Sequence, residues 1–217
     1  MNNLIISPER LTIMLELQDS LNRKVNPAWL SANYPWHRAA WIEAAELAES
    51  IGWKWWKKQE PDLANVRVEV VDIWHFSLSW VLELCGGNVP LAADWIHSAT
   101  VSTLPVQSGF DSDLKAVDNF IGECSFGRVP PGSVLRLAGM CELSADELYT
   151  LYVGKNLLNL FRQDNGYKAG TYIKQWGDAE DNVWLTGEMA ARPYATPAEL
   201  LVSMAKRYVE VLPTATT

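Results

Sequence analysis

The chain has 217 residues, of which 48% are hydrophobic and 20% are charged, proportions that are ordinary for a globular protein. Its net charge of −8 disfavours binding to long nucleic acids, which requires clustered Lys and Arg. No segment reaches the ~20 uncharged apolar residues that cross a bilayer, and the N-terminus lacks the features of a signal peptide. We therefore expect a cytoplasmic protein, folded as one domain over residues 1–217, that binds neither nucleic acid nor membranes.

Helix signals begin near the N-terminus. Ser7 followed by Pro8 is typical of a helix start, and apolar residues at helical spacing continue from there. A second amphipathic pattern, rich in Ala, stops at Gly52, a residue type favoured just beyond helix ends. The sequence therefore predicts helices over residues 8–23 and 36–52.

The longest apolar segment covers residues 65–84. It is rich in Val, which favours strands, but twenty residues without a turn signal are too many for a typical strand. An apolar pattern on all sides of a helix indicates burial. We predict a buried central helix that ends before Gly86 and Gly87.

Residues 88–143 contain several Pro and Gly residues, which interrupt regular elements. Helical patterns remain visible at 91–99 and 112–123. We expect this segment to form a looser helical lobe inserted into the main bundle.

Capping boxes mark two further helices near the C-terminus. The first, SADE at 144–147, opens a helix that stops near 165–166. The second, TPAE at 196–199, opens a helix that runs to about residue 211. Because no segment predicts a sheet, the expected fold class is all-α.

Four acidic residues stand out by their spacing. Glu43 and Glu46 are three residues apart, as are Glu69 and Asp72, so each pair lies on one helix face. No Lys or Arg occurs between residues 68 and 84, and burying unpaired carboxylates is costly. A cation should therefore meet Glu69 and Asp72. Mg²⁺ prefers carboxylate and water oxygens, so the pattern predicts a magnesium site for phosphoryl chemistry; the alternative is that Glu43 and Glu46 are a solvated helix face.

A basic helix face supplies the complement to these carboxylates. Lys155, Asn159 and Arg162 are spaced so that they fall on one side of their helix. Tyr167 and Lys174 follow on a glycine-containing loop that could close over a ligand. We predict that this face binds phosphates, whereas the alternative is a solvated surface.

His75 follows Asp72 by three residues, which is the spacing found in one arm of a di-iron bundle. Such bundles need two arms, and neither His37 nor His97 lies in a comparable motif. His75 is therefore interpreted either as a polar residue that faces a ligand or as a core histidine whose hydrogen bonds are satisfied. A di-iron oxidase is the weaker hypothesis.

The acidic pattern resembles the metal-binding pattern of the all-α nucleoside triphosphate pyrophosphohydrolases. Within that superfamily the chain resembles the dimeric dUTPases through four segments and a short closing one. These are 15–22 (LELQDSLN), 43–57 (EAAELAESIGWKWWK), 68–76 (VEVVDIWHF), 155–177 (KNLLNLFRQDNGYKAGTYIKQWG) and 180–182 (EDN). The resemblance implies a helical bundle of this type and a homodimer that uses Mg²⁺ to hydrolyse dUTP, and dUDP, to dUMP.

The resemblance also implies roles for individual residues. Glu43, Glu46, Glu69 and Asp72 would hold Mg²⁺, and one of the first two, with Glu46 preferred, would orient or deprotonate the attacking water. The implied substrate residues form a group around the base and sugar and a group around the phosphates. The first contains Gln18, Asn22, Trp56, His75 and Phe76; the second contains Lys155, Asn159, Arg162, Tyr167 and Lys174, and Lys57 is also expected to bind substrate.

Two alternatives keep the same fold but change the function. One is an enzyme that acts on dCTP as well as dUTP, because a side-chain amide that can flip could read either base. The other is a non-catalytic module that senses nucleotides or binds proteins, which incomplete carboxylates would favour. All four carboxylates are present.

Overall fold

The structure, a computed structural model, describes residues 4–102 and 110–212. These residues form nine α-helices, one short 3₁₀ helix and one hairpin of two-residue strands. The predicted all-α class is therefore confirmed. None of the described helices is long and apolar enough to cross a membrane.

The elements follow one another with short connections. The first half contains α1 (Pro8–Val25), a 3₁₀ helix (Trp29–Ser31), α2 (Trp36–Ile51), α3 (Leu63–Leu84) and α4 (Val89–Ser102). The second half contains α5 (Phe110–Ser125), α6 (Pro131–Met140), α7 (Ala145–Asp164), β1 (Gln175–Trp176), β2 (Ala179–Glu180), α8 (Asp181–Ala191) and α9 (Pro197–Val211). The two strands pair in antiparallel register.

The helix ends carry the capping chemistry that the sequence predicted. Ser7 accepts a hydrogen bond from the backbone of Arg10 at the start of α1, and the α7 capping box is complete, with Ser144 and Glu147 each bonded to the other's backbone. Gly52 ends α2 with a φ of 89°, a conformation that costs other residues energy. Such local signals explain why the predicted helix limits agree with the structure to within a few residues.

Helix α3 is the buried centre of the fold, as predicted. It packs against α1, α2, α6 and α7, and most of its apolar side chains are fully buried, including Trp74 and Leu78. Its pair of carboxylates therefore points into a region that other helices enclose. The acidic pair therefore lines the same cavity as residues of α1, α2, α7 and α8.

Helix α7 joins two hydrophobic clusters. Its first half contributes Leu148 and Tyr152 to the main core, whereas its second half contributes Leu158 and Phe161 to a smaller cluster with Trp176 and parts of α8 and α9. The smaller cluster holds the hairpin and the start of α8 beside the end of α7. Polar residues from these segments therefore lie close to the basic face of α7.

Residues 88–143 are more regular than the sequence predicted. The described part consists mostly of helices α4, α5 and α6, and their buried side chains, such as Ile96, Phe120 and Leu137, belong to the main core. Helix α6 was not predicted, because its start at Pro130 and Pro131 was interpreted as irregular chain. Proline is tolerated in the first turn of a helix, where its missing N–H would have no partner.

Candidate active site

A cavity of about 1140 Å³ opens between α1, α2, α3, α7 and the segment around α8. Every predicted site residue except Trp56 and Lys57 lines it. Those that line it are Gln18, Asn22, Glu43, Glu46, Glu69, Asp72, His75, Phe76, Lys155, Asn159, Arg162, Tyr167 and Lys174. The volume is in the range of small-molecule binding sites or slightly larger.

Three carboxylates form a tight group on one wall of the cavity. One oxygen from each of Glu43, Glu69 and Asp72 lies within 4.8 Å of the others. Asn65 donates to Glu69 over 2.9 Å and so fixes the orientation of that side chain. Glu46 lines the cavity but is exposed and is not a member of this group. Among the described residues it has no hydrogen-bond or ion-pair partner.

The surroundings of Glu43 and Glu69 destabilise the charged forms of both side chains and so raise their pKa values. Burial, followed by the charge of Asp72 and by contacts with Glu69 and Glu46, raises the pKa of Glu43 to about 8. Burial is also the main reason that the pKa of Glu69 is raised. A group of hard oxygen donors that repel one another in a partly buried site matches what a divalent cation such as Mg²⁺ requires.

The raised pKa of Glu43, caused first by burial and then by the neighbouring carboxylates, should make the stability of the metal-free protein depend on pH. Because folding raises the pKa of Glu43 from 4.5 to about 8, the folded state holds this proton more tightly than the unfolded chain does. The resulting stabilisation is complete below pH 4.5 and is lost as the pH rises through about 8. We expect the free energy of unfolding in EDTA to fall by about 1–2 kcal/mol across this window, after discounting for solvent screening.

Urea unfolding from pH 5 to 9 measures this effect. Glu43→Gln should flatten the dependence, while Glu49→Gln is the matched control, since Glu49 is an exposed residue of the same helix whose pKa is lowered, first of all by Lys54. If the free energy of unfolding of Glu43→Gln depends on pH as steeply as that of the wild type, Glu43 is not the group that causes the pH dependence.

Lys155 supplies the cation that the sequence required near Asp72. Its ammonium nitrogen lies 2.8 Å from a carboxylate oxygen of Asp72, and both side chains are largely buried. The basic face of α7 is thus connected directly to the acidic group of α3. A ligand that carries phosphates can therefore meet the acidic group and a lysine in the same place.

Arg162 is already engaged by Asp181, a residue to which the sequence assigned no individual role. The carboxylate of Asp181 accepts two hydrogen bonds from it, at 2.7 and 2.8 Å, and both side chains are almost fully buried. Although burial alone lowers the pKa of Arg162, the bonds to Asp181 raise it overall. The arginine also donates to Asn159 and Asn182. These bonds leave one of its five N–H groups for a ligand.

An aromatic and amide wall lies at the other end of the cavity. Gln18 and Asn22 of α1 lie near Phe76 of α3, and the ring of Phe76 is 6.5 Å from that of Trp36. Tyr34, whose ring is 5.3 Å from Trp36, also lines the cavity. Sequence reasoning missed Tyr34 and Trp36, because nothing in their spacing distinguishes them from core aromatics.

His75 lines the cavity, and one of its ring nitrogens has no hydrogen-bond partner among the described residues. Its Nδ1 lies 2.8 Å from the carbonyl oxygen of Val71, and since a carbonyl only accepts, Nδ1 carries the hydrogen. Burial lowers the pKa of His75 to about 4, so the ring is neutral and Nε2 is an acceptor, buried and unpartnered. His75 is not in the group that could share a metal ion, so the described residues give no support to the di-iron hypothesis.

A protein-family model described as dUTPase matches residues 10–167. The chain belongs to the all-α dUTPase family. It is therefore an enzyme that hydrolyses dUTP, a nucleoside triphosphate pyrophosphohydrolase with a small nucleotide as substrate. The comparison with curated proteins found no match.

In this dUTPase, Trp56 and Lys57 are not among the residues that line the cavity, and their substrate contacts stay a prediction. Trp56 is 56% exposed and packs edge-on against Trp53 and Trp55. Lys54, in the same loop, pairs with Glu49 and holds the loop at the end of α2. That end lies about 13 Å along the helix from Glu43, at 1.5 Å per residue.

The buried pair between Arg162 and Asp181 should be important for stability. Asp181→Asn leaves the guanidinium buried without its counterion, which typically costs about 3–5 kcal/mol. Glu188→Gln is the matched control, because Glu188 forms a more exposed pair with Arg192 that should contribute less than about 1 kcal/mol. Urea unfolding of both variants measures the difference, and equal losses would contradict this role for the buried pair.

Proposed function

We propose that this dUTPase binds dUTP with Mg²⁺ in the described cavity and hydrolyses it to dUMP and pyrophosphate, and that it cleaves dUDP to dUMP and phosphate. One observation carries the proposal: a group of three carboxylates, a basic helix face and two side-chain amides line the same cavity. Metal, phosphates and base can therefore be bound together.

The acidic wall would hold the metal and activate water. Glu43, Glu69 and Asp72 are the proposed ligands, and Glu46 at the rim completes the set or takes the proton of the attacking water. Bound Mg²⁺ neutralises phosphate charge and lowers the pKa of a coordinated water molecule. No residue of the site needs to form a covalent intermediate.

The basic face would stabilise the phosphates and the leaving group. Lys155 provides a point charge, whereas Arg162, held by Asp181, offers a single N–H. Asn159, Tyr167 and Lys174 line the same part of the cavity and are proposed to contact the phosphates or to close the site.

The nucleoside would lie against the aromatic and amide wall. Gln18 and Asn22 are proposed to bind the base edge, with Phe76 against the ring. The unpartnered Nε2 of His75 can accept a hydrogen bond from the sugar 3′-hydroxyl.

Hydrolysis of a nucleotide panel tests the proposal. Release of pyrophosphate or phosphate is measured from dUTP, dUDP, dCTP, dTTP and UTP, with Mg²⁺ and with EDTA. Cleavage of dUTP and dUDP that requires Mg²⁺ is the expected result. Turnover in EDTA would contradict the metal site, and the absence of dUDP cleavage would restrict the reaction to triphosphates.

The homodimer and the cytoplasmic location expected from the sequence belong to the same proposal. Several large apolar side chains are exposed in the described chain, among them Trp41, Ile42 and Phe126. Exposed apolar area of this kind is common at subunit interfaces. Light scattering after size-exclusion chromatography should give twice the mass of 24.3 kDa, and a monomer would contradict it.

A further inference from the structure

Gln18 and Asn22 belong to a chain of hydrogen-bonding groups along the base side of the cavity. Nε2 of Gln18 lies 3.1 Å from Oδ1 of Asn22, and Nδ2 of Asn22 lies 3.0 Å from the hydroxyl of Ser79. At the other end, Oε1 of Gln18 lies 3.0 Å from the hydroxyl of Tyr152. All four residues are buried, so bulk water does not replace a missing partner.

The chain ends at two backbone carbonyls, which only accept hydrogen bonds. Nδ2 of Asn156 also donates to the Tyr152 hydroxyl over 3.3 Å, a bond that is compatible with either direction of the chain because the hydroxyl oxygen has a second lone pair. The Tyr152 hydroxyl lies 2.8 Å from the carbonyl oxygen of Met14, and the Ser79 hydroxyl lies 3.0 Å from that of His75. Each carbonyl lies inside an α-helix, where it also accepts the N–H of the residue four positions later. Either carbonyl can therefore lose its bond to the hydroxyl at little cost.

The chain has one hydrogen fewer than it has contacts. Each hydroxyl supplies one hydrogen, and each amide supplies one along the chain because its oxygen faces one neighbour and its nitrogen the other. One contact along the chain therefore has no hydrogen. Losing that hydrogen bond costs least at one of the two terminal carbonyls. If the contact to Met14 is empty, all donors point towards His75; if the contact to His75 is empty, all donors point towards Met14. The two hydrogen-bond patterns use the same positions of the heavy atoms, apart from the exchange of oxygen and nitrogen in the amides.

Reversing the chain exchanges oxygen and nitrogen in both amides at once. Each amide keeps a spare N–H and a spare lone pair for a ligand. Uracil and cytosine differ by the same kind of exchange: uracil offers a donor at N3 and an acceptor at position 4, and cytosine offers the reverse. A concerted reversal of two amides therefore matches the difference between the two bases.

We propose that Gln18 and Asn22 read uracil with the chain in one direction and cytosine in the other, and that the hydroxyls of Ser79 and Tyr152 set the balance. This inference rests on the proposed function, in which the two amides contact the base. Ser79 and Tyr152 become determinants of base specificity, although the sequence marks them only as residues of buried helices.

Two substitutions should bias the chain in opposite directions. Ser79→Ala removes the acceptor for Nδ2 of Asn22, so it favours the direction in which donors point towards Tyr152. Tyr152→Phe removes the acceptor for Nε2 of Gln18 and favours the reverse. Leaving a buried N–H without an acceptor is unfavourable, so we expect the dUTP to dCTP ratio of kcat/KM to change by about tenfold in each variant, with opposite sense.

The experiment measures kcat/KM for dUTP and dCTP, and Kd for dUMP and dCMP, in the wild type and both variants. Ser77→Ala and Tyr208→Phe are matched controls, because each removes a buried hydroxyl outside the chain, and both should keep the wild-type ratio. Ser79→Thr retains the hydroxyl and should also keep it.

Several results would overturn the inference. Ratios that change in the same sense, or not at all, contradict a reversible chain. A wild type that hydrolyses dUTP but neither hydrolyses dCTP nor binds dCMP refutes the inference alone. A wild type that hydrolyses neither nucleotide instead refutes the proposed function.

Discussion

Glu69→Gln should lower kcat/KM for dUTP by about 10³-fold or more and leave the metal-free protein at least as stable as the wild type. The activity falls because the proposed metal site loses one of its buried carboxylates, and a bound metal ion contributes several kcal/mol to transition-state stabilisation. The stability does not fall because the glutamine can still accept the bond from Asn65. It also removes a charge that burial destabilises.

Steady-state kinetics, together with thermal unfolding with and without Mg²⁺, measure both halves of this expectation. The wild type should be stabilised by Mg²⁺, whereas the variant should respond weakly, because a ligand stabilises only the state that binds it. Glu83→Gln is the matched control: Glu83 is a partly buried glutamate of α3 whose pKa burial also raises, but it does not line the cavity. Wild-type activity in Glu69→Gln would remove this residue from the metal site.

The sequence predicted the helices that carry their own signals. The limits of α1 and α7 follow from Ser7 and from the capping box at Ser144, both of which act within a few residues. The length and apolarity of α3 likewise predicted its burial. These features are local, so no knowledge of the tertiary structure was required.

Helix α8 was not predicted, because its start lacks such a signal. Glu180, at its N-cap position, makes no side-chain capping bond, and the helix follows a hairpin of only two residue pairs. The same region contains Asp181, which is 19 positions from its partner Arg162. No periodic pattern links residues at that separation, so the ion pair could be recognised only in the structure.

Trp56, which does not line the cavity, shows what reasoning from motifs leaves open. Trp56 lies in a segment that resembles the family, but the loop is fixed by the contact of Lys54 with Glu49 and by the Gln59 side chain, which accepts a bond from the Lys54 backbone. These contacts depend on how the loop folds back on α2. Conversely, Ser79 and Tyr152 line or support the site through hydrogen bonds that span 57 and 134 positions. Their residue types alone gave no indication of this role.

The second large effect concerns the choice of general base between Glu43 and Glu46. Glu43 belongs to the group of three close carboxylates, so in the proposed site its oxygens are taken up by the metal. Glu46 is exposed at the cavity and has no partner among the described residues. A general base needs a free lone pair that can reach a water molecule, and Glu46 meets this requirement.

Glu46→Gln should therefore reduce kcat by about 10²–10⁴-fold, the usual contribution of general base catalysis, while the Kd for nucleotide changes little. Single-turnover kinetics give the chemical step, and calorimetry with a non-hydrolysable imido analogue of dUTP gives the affinity. Glu46→Asp retains a carboxylate on a side chain one methylene shorter, so it should recover part of the rate. Glu49→Gln changes an exposed glutamate of the same helix and should keep the wild-type kcat. An unchanged kcat in Glu46→Gln would exclude Glu46 as the general base; Glu43→Gln is expected to lose activity in either case, because Glu43 is also a proposed ligand of the metal.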